Sequence, residues 1–437
     1  MTVSTSTGLH VAIIGGGITG VILALGLEKR GVSYTLYERA AAFTEIGAGI
    51  GFSPNAEQAL KVVDPRVYEV YKKVASSTED EDFFNWVDGH GTNELIARLL
   101  IGVDAFQGGR RSDFLEAWST LIPSGKVRFG KEIVSALQKE DGRVSIEFKD
   151  GNLEEADIVI GCDGIRSRVR QLVLGEANPA AYPCYTNKFC FRALIPMDKA
   201  RKVLDETRIA SRFMYNGPGA HAITYAVANG TLLNVLFVVT DPNPWPLDRH
   251  TAPGTKQEVI DAYADWHPVV RGLVDLLPEK LDKWAIFDMY NYPAPYYNVG
   301  AVALAGDAAH ASGPHLGSGA GFGIEDGLVL ASVLKAVDEE FQAHRTGKSK
   351  VQVSHAALKA YNTVRFDRDQ WLPGATREAA DLFQWMSKEV SGSDHEKFLS
   401  TVSVLYHTIW DNDIDEMVKV AVTEFQNAVA KPSLASA

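Results

Sequence analysis

Cysteine is scarce: 437 residues carry only Cys162, Cys184 and Cys190. That is too few for a disulfide framework in so long a chain. With no CxxC pair, neither a zinc site nor a thioredoxin-like centre is expected, and reduced thiols in a cytoplasmic protein are. Cationic excess is missing too. Forty-three Lys and Arg stand against 55 Asp and Glu, a net charge of -12, so nothing is available to neutralise nucleic-acid phosphates or an anionic membrane. The one local basic group, Arg345, Lys348 and Lys350, reads as a solvated loop. The first residues lack the basic start and apolar stretch of a secretory leader. Residues 213–240 contain no Asp, Glu, Lys or Arg, but Asn216-Gly-Pro-Gly219 and Asn229-Gly230 break the run. It therefore reads as two strands and a turn, and no membrane span is expected. Repeats and low-complexity segments are absent, and no His/Asp/Glu group has metal-ligand spacing, so no metal is expected.

What is present is ordinary in bulk: 46% hydrophobic and 22% charged residues, the balance of a globular chain long enough for two or three domains. The information lies in three glycine-containing segments. His10 to Ile14 is a short apolar strand running into Gly15, Gly17 and Gly20; Ile18 to Lys29 has helical spacing, Gly31 stops it, and Val32 to Tyr37 is a second strand ending at Glu38. This GxGxxG unit suits a dinucleotide. Its glycines allow a tight turn, backbone approach to a pyrophosphate and close helix packing, and the helix N-terminus offers N–H groups to phosphate. Glu38, 18 residues past Gly20, stands where a carboxylate accepts ribose hydroxyls. The motif alone does not separate FAD from NAD.

The second segment, Asp157 to Arg170, contains Asp163, Gly164, Ser167 and Arg170 in a DGxxSxVR pattern; by itself it reads equally as a turn that caps a helix. The third runs from Gly306-Asp307 through Pro314 and His315 to Gly317-Ser-Gly-Ala-Gly321. By itself Asp307 is equally a helix N-cap. A further glycine-rich passage spans residues 44–57, and between Tyr182 and Tyr292 strands at Phe189–Ile195, His221–Val227 and Leu232–Val239 suggest an antiparallel sheet.

These three segments, in this order, resemble the single-component FAD-dependent aromatic hydroxylases, the family of salicylate and p-hydroxybenzoate hydroxylases. The resemblance covers about residues 8–385. It implies an α/β protein: a Rossmann-type FAD-binding domain with a parallel sheet, an antiparallel substrate domain and a C-terminal helical region. The expected boundaries are 8–75, 106–180 and 293–345 for FAD binding, 76–105 as a substrate-domain insertion, 181–292 for the antiparallel domain and 355–430 for the helical region. FAD would be held by Gly15, Gly17, Gly20, Glu38, Arg39, Gly51, Asp163 and Asp307, by Arg111 (with Arg110 as the open alternative), and by Gly317, Gly319, Ala320 and Gly321. Pro314 would lie over the reactive side of the flavin. The sequence departs from the GQG of many bacterial members, and Gly317-Ser-Gly-Ala-Gly321 is more similar to a fungal branch.

The resemblance further implies that NADPH or NADH and O2 act through a C4a-hydroperoxyflavin on an electron-rich phenol. Arg192 and Tyr225 match residues that hold the phenolate in fungal polyketide dearomatising hydroxylases of secondary metabolism, with His315 and His221 on the same site and Pro314 and His315 beside the oxygen. Phe213, Phe237 and Trp245 are candidates for an aromatic wall; as core residues they need no further explanation. The first expectation is ortho hydroxylation and dearomatisation of a resorcinol-type aldehyde or ketone. Salicylate 1-hydroxylation to a catechol is the alternative, and a non-catalytic FAD-binding protein the alternative of another class. A halogenase would need a Trp-x-Trp-x-Ile-Pro segment, which Trp245-Pro246 does not supply. A monomer or homodimer is expected.

Overall fold

The computed structural model describes residues 8–43, 49–75, 81–103, 105–343 and 346–430. Residues 1–7, 44–48, Arg345 and the C-terminal tail, on which expectations were also placed, lie outside these. The first apolar strand, His10–Ile14, is central in a six-stranded sheet. Its neighbours Ser33–Glu38 and Ile158–Gly161 run parallel to it, with Val11 facing Tyr34 on one side and Ile158 on the other. Val302–Leu304 adds in parallel beyond Ile158–Gly161, and Val127–Phe129 beyond Ser33–Glu38. Only Asn298–Val299, at one edge, is antiparallel. Strands covered on both faces must be apolar throughout, and Val11, Ile13, Ile158 and Ile160 are fully buried. Each such side chain contributes about 1.5–3 kcal/mol on burial.

Helix Ile18–Arg30 ends where Gly31 takes the left-handed conformation, φ 68. It packs against helix Gly319–Ala343 so closely that a Cβ on Gly26 would lie 2.7 Å from the Ala331 methyl. That contact brings the late glycine-rich segment onto the first motif.

The second sheet has eight strands, in the order Thr251–Thr255, Lys280–Asp288, Cys184–Pro196, Leu232–Thr240, Ala220–Val227, Arg212–Gly217, Glu81–Asp88 and Leu95–Val103. It is not wholly antiparallel as expected. Arg212–Gly217 runs parallel to Glu81–Asp88, because two early strands join the far edge of a sheet made mainly from residues 184–288. One face packs on helices Lys256–Ala262 and Pro268–Asp275 through Phe191, Phe213, Phe237 and Tyr263. Helices Lys350–Phe383, His395–Trp410 and Ile414–Ala430 form the C-terminal region. The first of these begins at Lys350, with a capping box made by Ser349 and Gln352. Among the described residues no helix is long and apolar enough to cross a membrane.

Candidate active site

A cavity of about 670 Å³ lies between the C-terminal ends of the parallel strands and the other face of the eight-stranded sheet. Ligands of open parallel sheets bind at that edge. The loops that follow three parallel strands line it, with Gly17 to Thr19 from the first motif, Cys162, Gly164 and Ile165 from the second, and Asp307 from the third. The motifs interlock. A Cβ on Gly15, whose φ is +107, would lie 2.4 Å from the Cys162 carbonyl oxygen, and one on Gly306 would lie 2.4 Å from Thr19 Oγ1. Only glycine permits either approach.

This edge has the chemistry for a dinucleotide. Helix Ile18–Arg30 starts with no side-chain cap, leaving its first N–H groups for an anion. Glu38 is fixed by accepting from the N–H of Gly16 at 2.6 Å and of Ala40 at 2.7 Å, which leaves carboxylate lone pairs for hydroxyl donors. Gly51, Arg111, Asp307, Gly317, Gly319 and Ala320 all line the cavity, and the N-terminus of the 25-residue helix Gly319–Ala343 opens onto it. The two arginines differ in position. Arg111 borders the cavity, whereas exposed Arg110 donates to Asp113 at 2.8 Å. Arg39 is exposed at the end of its strand.

Asp163, Gly321 and Gly20, also expected at the cofactor, do not line the cavity. Asp163 is drawn inward, accepting from the Ser167 hydroxyl and from the Val169 N–H at 3.0 Å. It staples the turn before helix Arg168–Leu174, and its neighbours Cys162, Gly164 and Ile165 meet the cavity instead. Gly321 is buried one helical position too far in, where a Cβ would lie 3.1 Å from the Ala56 methyl. It is a packing glycine, as is Gly20, where a Cβ would strike the Gly15 carbonyl.

Behind Asp307, wholly buried Arg170 donates to the carbonyl oxygens of Ala180, Ala308 and Ala309. Among the described residues it has no carboxylate partner, and burial pushes its pKa down to about 10. His310 turns the other way, to Asp326 at 2.8 Å. Asp326 also accepts from the Gly306 N–H and from Arg365, which reaches Asp369 and Glu325 as well. Burial would lower the His310 pKa, but Asp369 and Asp326 pull it up to about 9. His310, Asp326 and Asp369 are close enough to hold a metal ion, a cluster that sequence spacing did not reveal. However, the guanidinium of Arg365 already occupies carboxylate oxygens of both aspartates, so the group is a buried ion-pair network.

On the sheet side, alternation decides which residues face the cavity. Cys190 and Arg192 from one strand, Ile223 and Tyr225 from the next, Asn234 and Leu236 from the third, and Trp284 and Ile286 all point in. Arg192 lies directly opposite Leu236, and Tyr225 opposite Asn234. Phe237, expected here, pairs with Phe191 and Ala222 and therefore faces the other side of the sheet, in the core with Phe213. Trp245 packs on Tyr185 outside the cavity. The aromatic wall is instead made of Phe84, Phe106, Trp284 and Tyr406.

On the sheet side of the cavity, the guanidinium groups of Arg192 and Arg212 differ sharply. Arg212 is bound to the Asp82 carboxylate and the Phe106 carbonyl. Arg192 makes no ion pair among the described residues; its Nε lacks a hydrogen-bond partner and its head lies 5.5 Å from the Trp284 ring. The Tyr225 hydroxyl feels the charge of both. Burial raises its pKa, and Arg192 and Arg212 act against that rise. Pro314 and His315 line the cavity, and the His315 ring stands 5.4 Å from that of His221, edge to face. Burial, aided by the Lys188 ammonium, pushes the His315 pKa down to about 3; burial also drives His221 well below its usual value. Both are neutral imidazoles at physiological pH.

Sequence comparison agrees with this geometry. The FAD binding domain family matches residues 8–346. The chain belongs to the FAD-dependent aromatic hydroxylases. This hydroxylase is 46% identical over 435 residues to the FAD-dependent monooxygenase orf3 of Aspergillus niger, with 97% of this chain and 98% of the relative aligned. It is 39% identical over 438 residues to salicylate hydroxylase asL1 of Sarocladium schorii, covering 96% and 91%. A solved salicylate hydroxylase–substrate complex shares its fold at a TM-score of 0.84 with 30% identity, over 98% of this chain and all of that one. The hydroxylase is therefore an FAD-dependent monooxygenase of salicylate hydroxylase type, and FAD is its cofactor.

Proposed function

We propose that this monooxygenase uses NAD(P)H and O2 to hydroxylate a phenol ortho to its hydroxyl, and that the substrate is a resorcinol-type aldehyde or ketone converted to a dearomatised quinol. The observation that carries this reading is Arg192. It is a half-buried guanidinium with no ion pair among the described residues, on the same sheet face as Tyr225.

Bound FAD supplies the acceptor for hydride and the site where O2 is activated. The protein's own groups then select and prepare the ring. Arg192 and the Tyr225 hydroxyl bind the phenolic oxygen as phenolate, since a nearby cation and a hydrogen-bond donor favour the charged form. A phenolate is richer in electrons at its ortho and para carbons than a phenol is. Asn234, opposite Tyr225, offers a further amide to the ring substituents, and neutral His315 offers a donor or acceptor to a neighbouring carbonyl. Phe84, Phe106 and Tyr406 keep water from the ring's apolar side. Glu38, Arg111, Asp307 and the 317–320 backbone hold the dinucleotide on the opposite side of the cavity.

The deciding experiment incubates the purified holoenzyme with NAD(P)H and a panel of dihydroxybenzaldehydes, dihydroxyphenyl ketones and salicylates, followed by mass spectrometry. A product one oxygen heavier that lacks an aromatic ultraviolet spectrum is expected from the resorcinol-type compounds. Carbon dioxide release from salicylates would replace this reading with decarboxylating hydroxylation, the activity in the name of the Sarocladium relative. Flavin that no phenol stimulates would leave a binding protein.

A further inference from the structure

A second cavity, about 120 Å³, lies behind the Pro314–His315 turn. Thr186, Lys188, Asp288, Thr376, Arg377 and Asp381 line it, and Gly313 and His315 border both cavities. Such a polar volume holds several waters. At the boundary, His315 carries a buried Nδ1 with no hydrogen-bond partner among the described residues, as does His221, whose ring packs on it, and a buried polar atom of this kind calls for water. Lys188 is buried on the same strand face as Cys190 and Arg192, and its ammonium lies 3.2 Å from Asp381, whose side chain is half exposed. By contrast, Asp288 and Arg377 are locked in a two-pronged pair at 2.7 and 2.8 Å.

We propose that the second cavity is a proton relay, running from solvent at Asp381 through Lys188 and cavity water to His315. The inference rests on the monooxygenase reading, whose stoichiometry creates the need. Phenol, O2, NAD(P)H and one proton give hydroxylated product, NAD(P)+ and water. Dioxygen takes two electrons from the nicotinamide and two from the ring; one oxygen atom bonds to carbon and the other leaves as water. The extra proton comes from solvent, and bound FAD and phenol would obstruct its path through the first cavity. A neutral imidazole accepts a proton at one nitrogen and releases one from the other, and His315 is the side chain that touches both compartments. Gly313 makes room for it, since a Cβ there would lie 2.8 Å from the imidazole Cδ2. The charged or titratable groups around His315 are His221 and Lys188 from the sheet, Asp288 from the end of a strand, and Arg377 and Asp381 from helix Lys350–Phe383.

Two measurements test the relay. The first needs no substrate: a high-resolution crystal structure of the holoenzyme is expected to show ordered waters joining His315 to Lys188, and a dry second cavity would overturn the proposal. The second compares Lys188→Met and Asp381→Asn with the parent enzyme on whichever phenol is turned over. Each is expected to lower kcat about tenfold, with KM for the phenol within twofold, full FAD occupancy and a larger solvent deuterium isotope effect on kcat. Turnover and isotope effect unchanged in both variants would sink the relay. If the parent hydroxylates no phenol in the panel, the functional reading has failed, and the water structure still decides the relay separately.

Discussion

The Arg170 side chain, at the end of the second motif, donates to the carbonyl oxygens of Ala308 at 2.9 Å and Ala309 at 2.7 Å, immediately after Asp307. A buried cation thus fixes the carbonyl end of the short helix whose first residue lines the cavity. Arg170→Met is expected to leave these carbonyls and that of Ala180 without donors, at a cost of about 3 kcal/mol. The readout is a lower melting temperature together with faster FAD release, monitored by flavin fluorescence. Arg170→Lys should recover part of both, and an unaltered FAD release rate in Arg170→Met would contradict the link.

Asp307→Ala removes the carboxylate from the cavity edge without touching the core, because Asp307 is exposed there. Purified protein is expected to be folded by circular dichroism but flavin-poor, with FAD affinity reduced about tenfold or more, equivalent to about 1.4 kcal/mol. Full occupancy would remove Asp307 from the cofactor site.

Arg192→Ala should cost at least about 100-fold in kcat/KM for the phenol, equivalent to about 2.7 kcal/mol, with FAD retained. Arg192→Lys should keep part of the activity, since charge survives while the planar fork is lost. Steady-state kinetics alongside the flavin spectrum reads both, and normal turnover of the alanine variant would dismiss the phenolate anchor.

Adjacent residues on one strand should behave oppositely. Leu236 faces the cavity and Phe237 the core. Leu236→Ala is expected to raise KM for the phenol with little loss of stability. Phe237→Ala should cost about 3–5 kcal/mol of stability while leaving KM unchanged in whatever protein remains folded. Thermal melts and Michaelis profiles of the pair provide the check.

His310 gives a pH dependence with a definite sign. Its folded pKa, about 9, lies above the ordinary value of 6.5. The stabilisation is therefore complete below about 6.5 and fades as pH rises through about 9. Melting temperature should fall across that window in the parent and fall less steeply in His310→Gln. Parallel slopes in the two proteins would show that Asp326 does not hold His310 charged.

Much of the cofactor side was legible because it is written locally. Gly15, Gly17, Glu38 and Gly306-Asp307 each follow a strand, and strand, turn and helix are short-range patterns. The sheet side was readable in strands but not fully in faces. Arg192 and Tyr225 line the cavity, whereas Phe237 faces the core on the other side of the sheet. Counting from Tyr225 fixes the face of its own strand only, and the pairing of Arg192 with Leu236, which excludes Phe237, is a matter of cross-strand register. Asn234 carried an overlooked signal, a lone amide in an apolar strand. Tyr406 and the pairing of Lys188 with Asp381 carried none, because each depends on how C-terminal helices dock against a sheet formed far earlier in the chain.

The way the parallel sheet is threaded also bears on how the protein is made. Strand His10–Ile14 leaves the ribosome before the other strands of its sheet, which is completed only by Val302–Leu304, nearly three hundred residues later. Likewise, Glu81–Asp88 must wait for Arg212–Gly217 before it is paired on that side. At about 5–20 residues per second, the nascent chain therefore carries apolar strand edges for some tens of seconds before either sheet closes. For this hydroxylase, holdase chaperones and growth temperature during synthesis should limit the yield of active enzyme more than the stability of the finished fold does.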